Sequence, residues 1–176
     1  PMPPKFGTSG LRGLVTELTA DLVRAHVQAF IRTCPVGTGL FVGRDLRPSS
    51  PAIAGMVVDA ARAAGLAVTD CGDIPTPALA LAAMEAGAGA VMITGSHIPA
   101  DRNGLKFYTP LGEITKAHEA AILGAVDGEA CAMDGPAVAL NTTAGEAYVT
   151  RFVSAYGTAL QGLRIGIYSH SAVGRD

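Results

Sequence analysis

Three short apolar runs, Gly39–Val42 (GLFV), Leu66–Gly72 (LAVTDCG) and Ala90–Thr94 (AVMIT), are separated by segments of helix length. This alternation constrains the chain more than any other feature. A strand that is apolar on both faces must be covered on both, so the runs predict a sheet with helices on each side. Thr19–Ile31 reads as the first helix, with Leu22, Val23, Ala25, Val27, Phe30 and Ile31 at helical spacing. Thr19 is its N-cap, and Pro35 and Gly37 stop it. Ser49, Ser50 and Pro51 open a second helix, which runs to Ala64 and ends at Gly65. Pro77, the last residue of the turn IPTP, opens a third, PALALAAMEA, closed by Gly87 and Gly89. A loop from Gly95 to Gly104 leads into a strand over Leu105–Tyr108, and Thr115–Val126 and Thr143–Ala155 read as further helices. The expected class is α/β: a layered α/β/α domain with a mixed, mostly parallel sheet covered by helices on both faces.

Composition excludes several functions. The chain has 176 residues, 49% hydrophobic and 16% charged, with a formal charge of -2. Such a chain can bury a core and is not of the disordered type. Without a basic patch or a charged run it is not expected to take nucleic acid as a partner. No apolar run reaches the ~18 residues of a membrane span, so no membrane partner is expected. The opening PMPPKFGTSG does not read as a signal peptide. Cys34, Cys71 and Cys131 have neither disulfide-framework nor zinc-site spacing, so they read as free thiols, which suits a cytoplasmic protein.

Leu163–Tyr168 (LRIGIY) reads as a fresh buried strand followed by a turn, which is how an α/β domain begins. We expect a boundary near residues 159–162, with 1–158 forming one domain and 159–176 the opening strand and turn of a truncated second. The alternative is that LRIGIY adds an edge strand to the first sheet.

Four segments combine glycine, small hydroxyl residues and isolated charges: KFGTSGLRG (5–13), VGRDLRPSSP (42–51), IPTP (74–77) and TGSHIPADRNGLKFY (94–108). Ser96 follows directly on an apolar strand, at the strand end where open α/β sheets bind ligands. It can be a nucleophile there, or an ordinary loop serine. His97 is adjacent, but neighbouring side chains on extended backbone point opposite ways. Lysine occurs only at 5, 106 and 116. Lys106, set among Leu105, Phe107 and Tyr108, could act as acid or base, hold an anion, or simply face solvent. Gly7, Gly10 and Gly13 could let backbone N–H groups approach an anion, and Arg12 beside a phosphate would give a bidentate contact. Arg44 and Asp45 read as a structural ion pair or turn cap. IPTP reads as a rigid turn that shapes a cleft. His26, His118 and His170 lack metal-ligand spacing.

Taken in order, these segments resemble domain 1 of the α-D-phosphohexomutases. FGTSGLRG is similar to that family's opening F-G-T-[SD]-G-[IL]-R-G, VGRD with R-x-S-S to its second block, and PTP to its third. TGSH…NGLK is similar to its phosphoserine loop, and the TGSH form resembles the phosphomannomutase/phosphoglucomutase branch. The resemblance implies an isomerase that interconverts hexose 1-phosphate and 6-phosphate through a sugar 1,6-bisphosphate. On it, Ser96 carries the phosphoryl group, and Lys106 assists proton transfer at the sugar hydroxyl. Arg12 steadies the phosphoryl group, His97 contacts the sugar or the transferring group, and Ser9 contacts substrate.

The resemblance also implies Mg²⁺, bound through the phosphoryl group on Ser96 and a D-G-D-x-D run in domain 2, and a hexose 1,6-bisphosphate as activator. The chain departs from the family pattern in two respects. Ile98 stands where the family has Asn, and no D-G-D-x-D run occurs; Asp70 and Asp73 beside Gly72 suit a strand-end turn better. The sugar-recognition and phosphate-binding loops of domains 3 and 4 are absent too. The implied partners are therefore a hexose phosphate and domains 2–4 of the same chain, and these residues alone are expected to be inactive. Three alternatives stand beside this reading: a phosphoglucosamine mutase portion, a non-catalytic α/β module binding phosphate or a partner, and a serine hydrolase built on Ser96 and His97.

Overall fold

A computed structural model describes residues 4–7 and 10–174 of the chain. Among the described residues eight strands form one sheet. They are β1 (Lys5–Gly7), β2 (Gly10–Leu14), β3 (Leu40–Arg44), β4 (Val68–Asp73), β5 (Gly89–Ile93), β6 (Arg102–Thr109), β7 (Gly112–Glu113) and β8 (Ala139–Leu140). Their order is β1-β2-β6-β5-β3-β4-β8, with β7 paired to β6. The β5-β3-β4-β8 half is parallel, and β6 runs against both β5 and β2. Only β1 and β6 oppose β3, so six of the eight strands share one direction. The sheet is mixed and mostly parallel, as the apolar runs required.

The helices are α1 (Ala20–Thr33), α2 (Ser50–Ala63), α3 (Thr76–Glu85), α4 (Lys116–Leu123) and α5 (Ala144–Tyr156). The Thr19 hydroxyl caps α1 by accepting from Leu22 N at 3.3 Å. On one face, α1 and α2 pack together over the sheet and α4 lies on α1. Val27, Phe30, Val57, Val42, Val91, Leu105 and Phe107 form the main core there, all essentially inaccessible. The Phe30 and Phe107 rings lie 5.1 Å apart, and Phe6 of β1 stacks on Phe107 at 5.8 Å. On the other face, α3 lies on β3 and β5, and α5 lies on α3. Ile74, Leu79, Ala83, Ala90, Met92 and Tyr108 make a second, thinner core. Small residues let α3 come close: a Cβ on Gly43 would lie 3.1 Å from Leu79 of α3 and 2.5 Å from Ile74 just before it.

Three local features differ from the sequence reading. The glycine-rich opening is a pair of antiparallel strands rather than an irregular nest. Gly10 is there because of close approach: a Cβ on it would sit 1.9 Å from the Leu105 carbonyl oxygen across the β2–β6 pair. β8, where the sequence reading places no strand, takes the edge beside β4. The strand expected at Leu163–Tyr168 is not formed, either alone or at a sheet edge, and Leu163, Ile165, Ile167 and Tyr168 are exposed. A strand needs a neighbour to satisfy its backbone, and none is provided there among the described residues.

Candidate active site

The open part of the second face lies over β2 and β6, bounded by the start of α3, whose body packs on β3 and β5. There a cleft of about 300 Å³ is lined by Gly10, Arg12, Gly104, Lys106, Thr76, Thr94 and Ser96, with Leu11 and Leu105. Three predicted residues, Arg12, Ser96 and Lys106, thus share one cavity. The register explains it: Gly10 pairs with Lys106 and Arg12 with Gly104 across β2–β6. Alternate residues of a strand share a face, so Arg12 and Lys106 emerge on the same side. β5, paired with β6, delivers Thr94 and the following loop to the rim, where Thr94 N donates to Gly104 O at 3.0 Å. Thr76 brings the start of α3 into the same cleft, so IPTP shapes the site as its sequence suggested.

Ser96 has φ +47°, a left-handed conformation rare for a residue with a Cβ. Its N–H donates to Thr94 Oγ1 at 2.9 Å. Because the backbone turns here, His97 does not point away: its Nδ1 and Ser96 Oγ share a hydrogen bond of 3.2 Å. This corrects the extended-backbone expectation. No carboxylate bonds to His97 among the described residues, so the third group that a hydrolase triad needs is not in place. His97 does not line the cleft itself.

Lys106 is half-buried and ion-paired with Glu113 of β7, with its ammonium 5.5 Å from the centre of the Tyr108 ring. Partial burial works against the charge, but Glu113 and Tyr108 outweigh it and raise the Lys106 pKa above its ordinary value. Lys106 is therefore a cation at neutral pH. Arg12 is exposed and pairs with no carboxylate among the described residues. Two cationic groups beside a hydroxyl suit an anionic ligand. Ser9 lies outside the described residues.

Sequence reasoning missed what builds the serine loop. Asp45 holds it from below: Oδ2 accepts from Thr94 Oγ1 at 3.0 Å and Gly95 N at 2.9 Å, and Oδ1 accepts from Ser50 Oγ at 2.5 Å and Arg47 N at 3.0 Å. Arg44 pairs not with Asp45 but with Asp73 at 2.8 Å and Asp70 at 3.7 Å, so both residues are structural, with partners other than each other. Asn103, fully buried, donates to Ser49 and Ser50 Oγ at 2.8 and 2.9 Å. A cluster of small polar residues beside an apolar strand was the available signal. His26 and His118 bond locally, to Leu22 O and to Thr115 N. Gly72 N donates to Asp70 at 2.8 Å, the strand-end turn foreseen there.

The residues present do not make a Mg²⁺ site. No group of three or more His, Cys, Asp or Glu among the described residues could hold a metal ion, and both oxygens of Asp45 are already engaged. No helix of the described residues is long and apolar enough to cross a membrane.

The family model described as phosphoglucomutase/phosphomannomutase, alpha/beta/alpha domain I, matches residues 3–132. A protein of Sinorhizobium fredii named phosphomannomutase is 45% identical over 99% of this chain and 40% of its own length. A Rhodococcus erythropolis protein named phosphoglucosamine mutase is 40% identical over 71% of the chain and 30% of its own. The crystal structure of a phosphoglucomutase/phosphomannomutase family protein from Burkholderia thailandensis superposes with a TM-score of 0.70 at 28% identity, covering 85% of this chain and 35% of that one. The chain thus spans less than half the length of these relatives.

Proposed function

We propose, since the chain belongs to the phosphoglucomutase/phosphomannomutase family through its α/β/α domain I, that it is the phosphoryl-carrying part of a hexose-phosphate mutase. The observation that carries this reading is the convergence of Ser96, Arg12 and Lys106 on one cleft at the strand ends. In the proposed step, the P–O bond to Ser96 Oγ breaks while a P–O bond to a sugar hydroxyl forms. The proton moves from the sugar hydroxyl to the serine oxygen in net terms: Lys106 gives one proton to the serine oxygen and takes up the one that the hydroxyl loses. Arg12 and Lys106 offer positive charge to the transferring group, which is where catalysis of such transfers mostly resides. Lys106, resting as an ammonium, is poised to give a proton to the departing serine oxygen. His97, bonded to Ser96 Oγ, orients that oxygen or contacts the sugar, and Ser9 is proposed as a substrate contact. The enzyme class is an isomerase, with a hexose 1,6-bisphosphate as intermediate and activator.

The remaining parts of the proposal follow the family. Mg²⁺ belongs to the complete site, with the phosphoryl group of Ser96 as one ligand and the rest supplied outside these residues. Residues 1–158 form the first domain, since Ala144 and Tyr148 of α5 pack into the second core; residues 159–176 open the next. The partners are the hexose phosphate and the family's further domains, and these residues alone turn over no substrate. Three free thiols support a cytoplasmic location. A glucosamine phosphate substrate is the second reading, favoured by the likeness to the Rhodococcus protein. The test is phosphoryl loading of the full-length protein by a labelled hexose 1,6-bisphosphate. Label is expected on Ser96 by peptide mapping, and Ser96→Ala is expected to carry none and to turn over at background. Near-normal activity of Ser96→Ala would overturn the role given to Ser96.

A further inference from the structure

Arg47, in the loop before α2, is the hub of the serine loop. Its guanidinium donates to three backbone carbonyls of that loop and to the first of β6: Ser96 O at 3.3 Å, Ile98 O at 2.6 Å, Pro99 O at 2.8 Å and Arg102 O at 3.1 Å. The side chain is only 17% exposed, and Asp45 Oδ2 lies 3.5 Å from its Nε. Gly95 leaves the space: a Cβ there would lie 2.0 Å from Arg47 Nε. Four carbonyls turned toward one point repel one another unless a donor group sits among them. A planar guanidinium with five N–H groups can serve them all, and a lysine ammonium with three cannot.

The bonded carbonyls include that of Ser96 itself. A non-glycine residue in the left-handed region is strained and persists only where its surroundings over-determine it. Thr94, anchored on Asp45, holds the Ser96 N–H, and Arg47 holds its carbonyl. Arg47 does not line the cleft with Arg12 and Lys106; it borders the hollow on the other side of Ser96.

We propose that Arg47 is a positioning residue for phosphoryl transfer: by gathering the carbonyls of residues 96–102, it fixes Ser96 with its Oγ turned into the cleft. The proposal rests on the reading of Ser96 as the phosphoryl carrier. Misplacing a reacting atom by about 1 Å can cost about 10²-fold in rate.

The test compares Arg47→Ala, Arg47→Lys and Ser96→Ala in the full-length protein, by steady-state kinetics with a hexose 1-phosphate and by amide hydrogen exchange. For Arg47→Ala, kcat is expected to fall about 10²-fold with KM within about twofold, and exchange to quicken at residues 95–102 but not in α2 or β5. Arg47→Lys, which keeps the charge and guards against a misfolded alanine variant, is expected to show most of the same loss. Wild-type kcat in both variants would overturn the proposal. So would a rise in KM alone, which marks a substrate contact, or faster exchange throughout, which marks a general structural role. Activity in Ser96→Ala would instead overturn the reading beneath it, whatever Arg47 does.

Discussion

Lys106 is paired within the fold itself. Glu113 and Tyr108 together outweigh the cost of its partial burial, and its pKa lies above the usual lysine value of 10.5. A lysine raised in this way lends stability that is present in full well below its unfolded pKa and lost as pH climbs through the folded one. Both partners are partly exposed, so the contribution is under about 1 kcal/mol. Glu113→Gln is therefore expected to cost a small, constant amount between pH 7 and 9, and the deficit is expected to shrink above pH 10.5. Urea unfolding across that range checks it; a deficit that grows with pH contradicts it. At this scale the sequence was partly legible. Ser96 and Lys106 stood out because a lone hydroxyl after an apolar strand, and a lysine among apolar residues, break their local patterns. Arg47 and Glu113 did not, because each looks like an ordinary loop charge until its partners 49 and 7 residues away are brought to it.

Among the elements, the β2–β6 pair decides whether there is a site. It sets Arg12 beside Gly104 and Gly10 beside Lys106, and so places two cations on one face. Gly10→Ala would press a methyl group to 1.9 Å from a backbone oxygen that cannot rotate away. The expected cost is about 1–3 kcal/mol of stability, with kcat lowered as the two strands part. A urea midpoint and a kcat within error of wild type would refute it. The helices were readable from periodicity and caps, with ends displaced by one to three residues, as at α4, which stops at Leu123 rather than Val126. β1 and β2 were not readable. Glycines at 7, 10 and 13 interrupt the side-chain alternation by which a strand is recognised, and only the partner strand shows what they are for.

Over the whole molecule, two cores of unequal thickness divide the labour. The thicker, built on Phe30 and Phe107, holds the sheet; the thinner, alanine-rich one leaves the β2–β6 half open as the cleft. The cores also protect two of the three thiols. Cys34 and Cys71 are buried, and burial pushes the Cys71 thiol up to about 11, with the Asp70 charge adding to it, so it stays protonated at neutral pH. Alkylation at pH 8 is expected to modify Cys131 first and to reach Cys34 and Cys71 only on unfolding; prompt labelling of Cys71 in the folded protein would contradict this packing.

The layered class, the helices and the glycine- and serine-rich loops were readable along the chain, because apolar periodicity, caps and glycine-serine turns act over a few residues. The sequence also made the family recognisable, through four motifs in order. Tertiary structure alone decided the opening strands, the left-handed turn that brings His97 to Ser96, the Glu113 tether on Lys106 and the Arg47 hub. The strands, the tether and the hub depend on groups apart in the chain meeting in the fold, and the turn at Ser96 depends on its hold by Asp45 and Arg47; such bonds leave no local pattern to read.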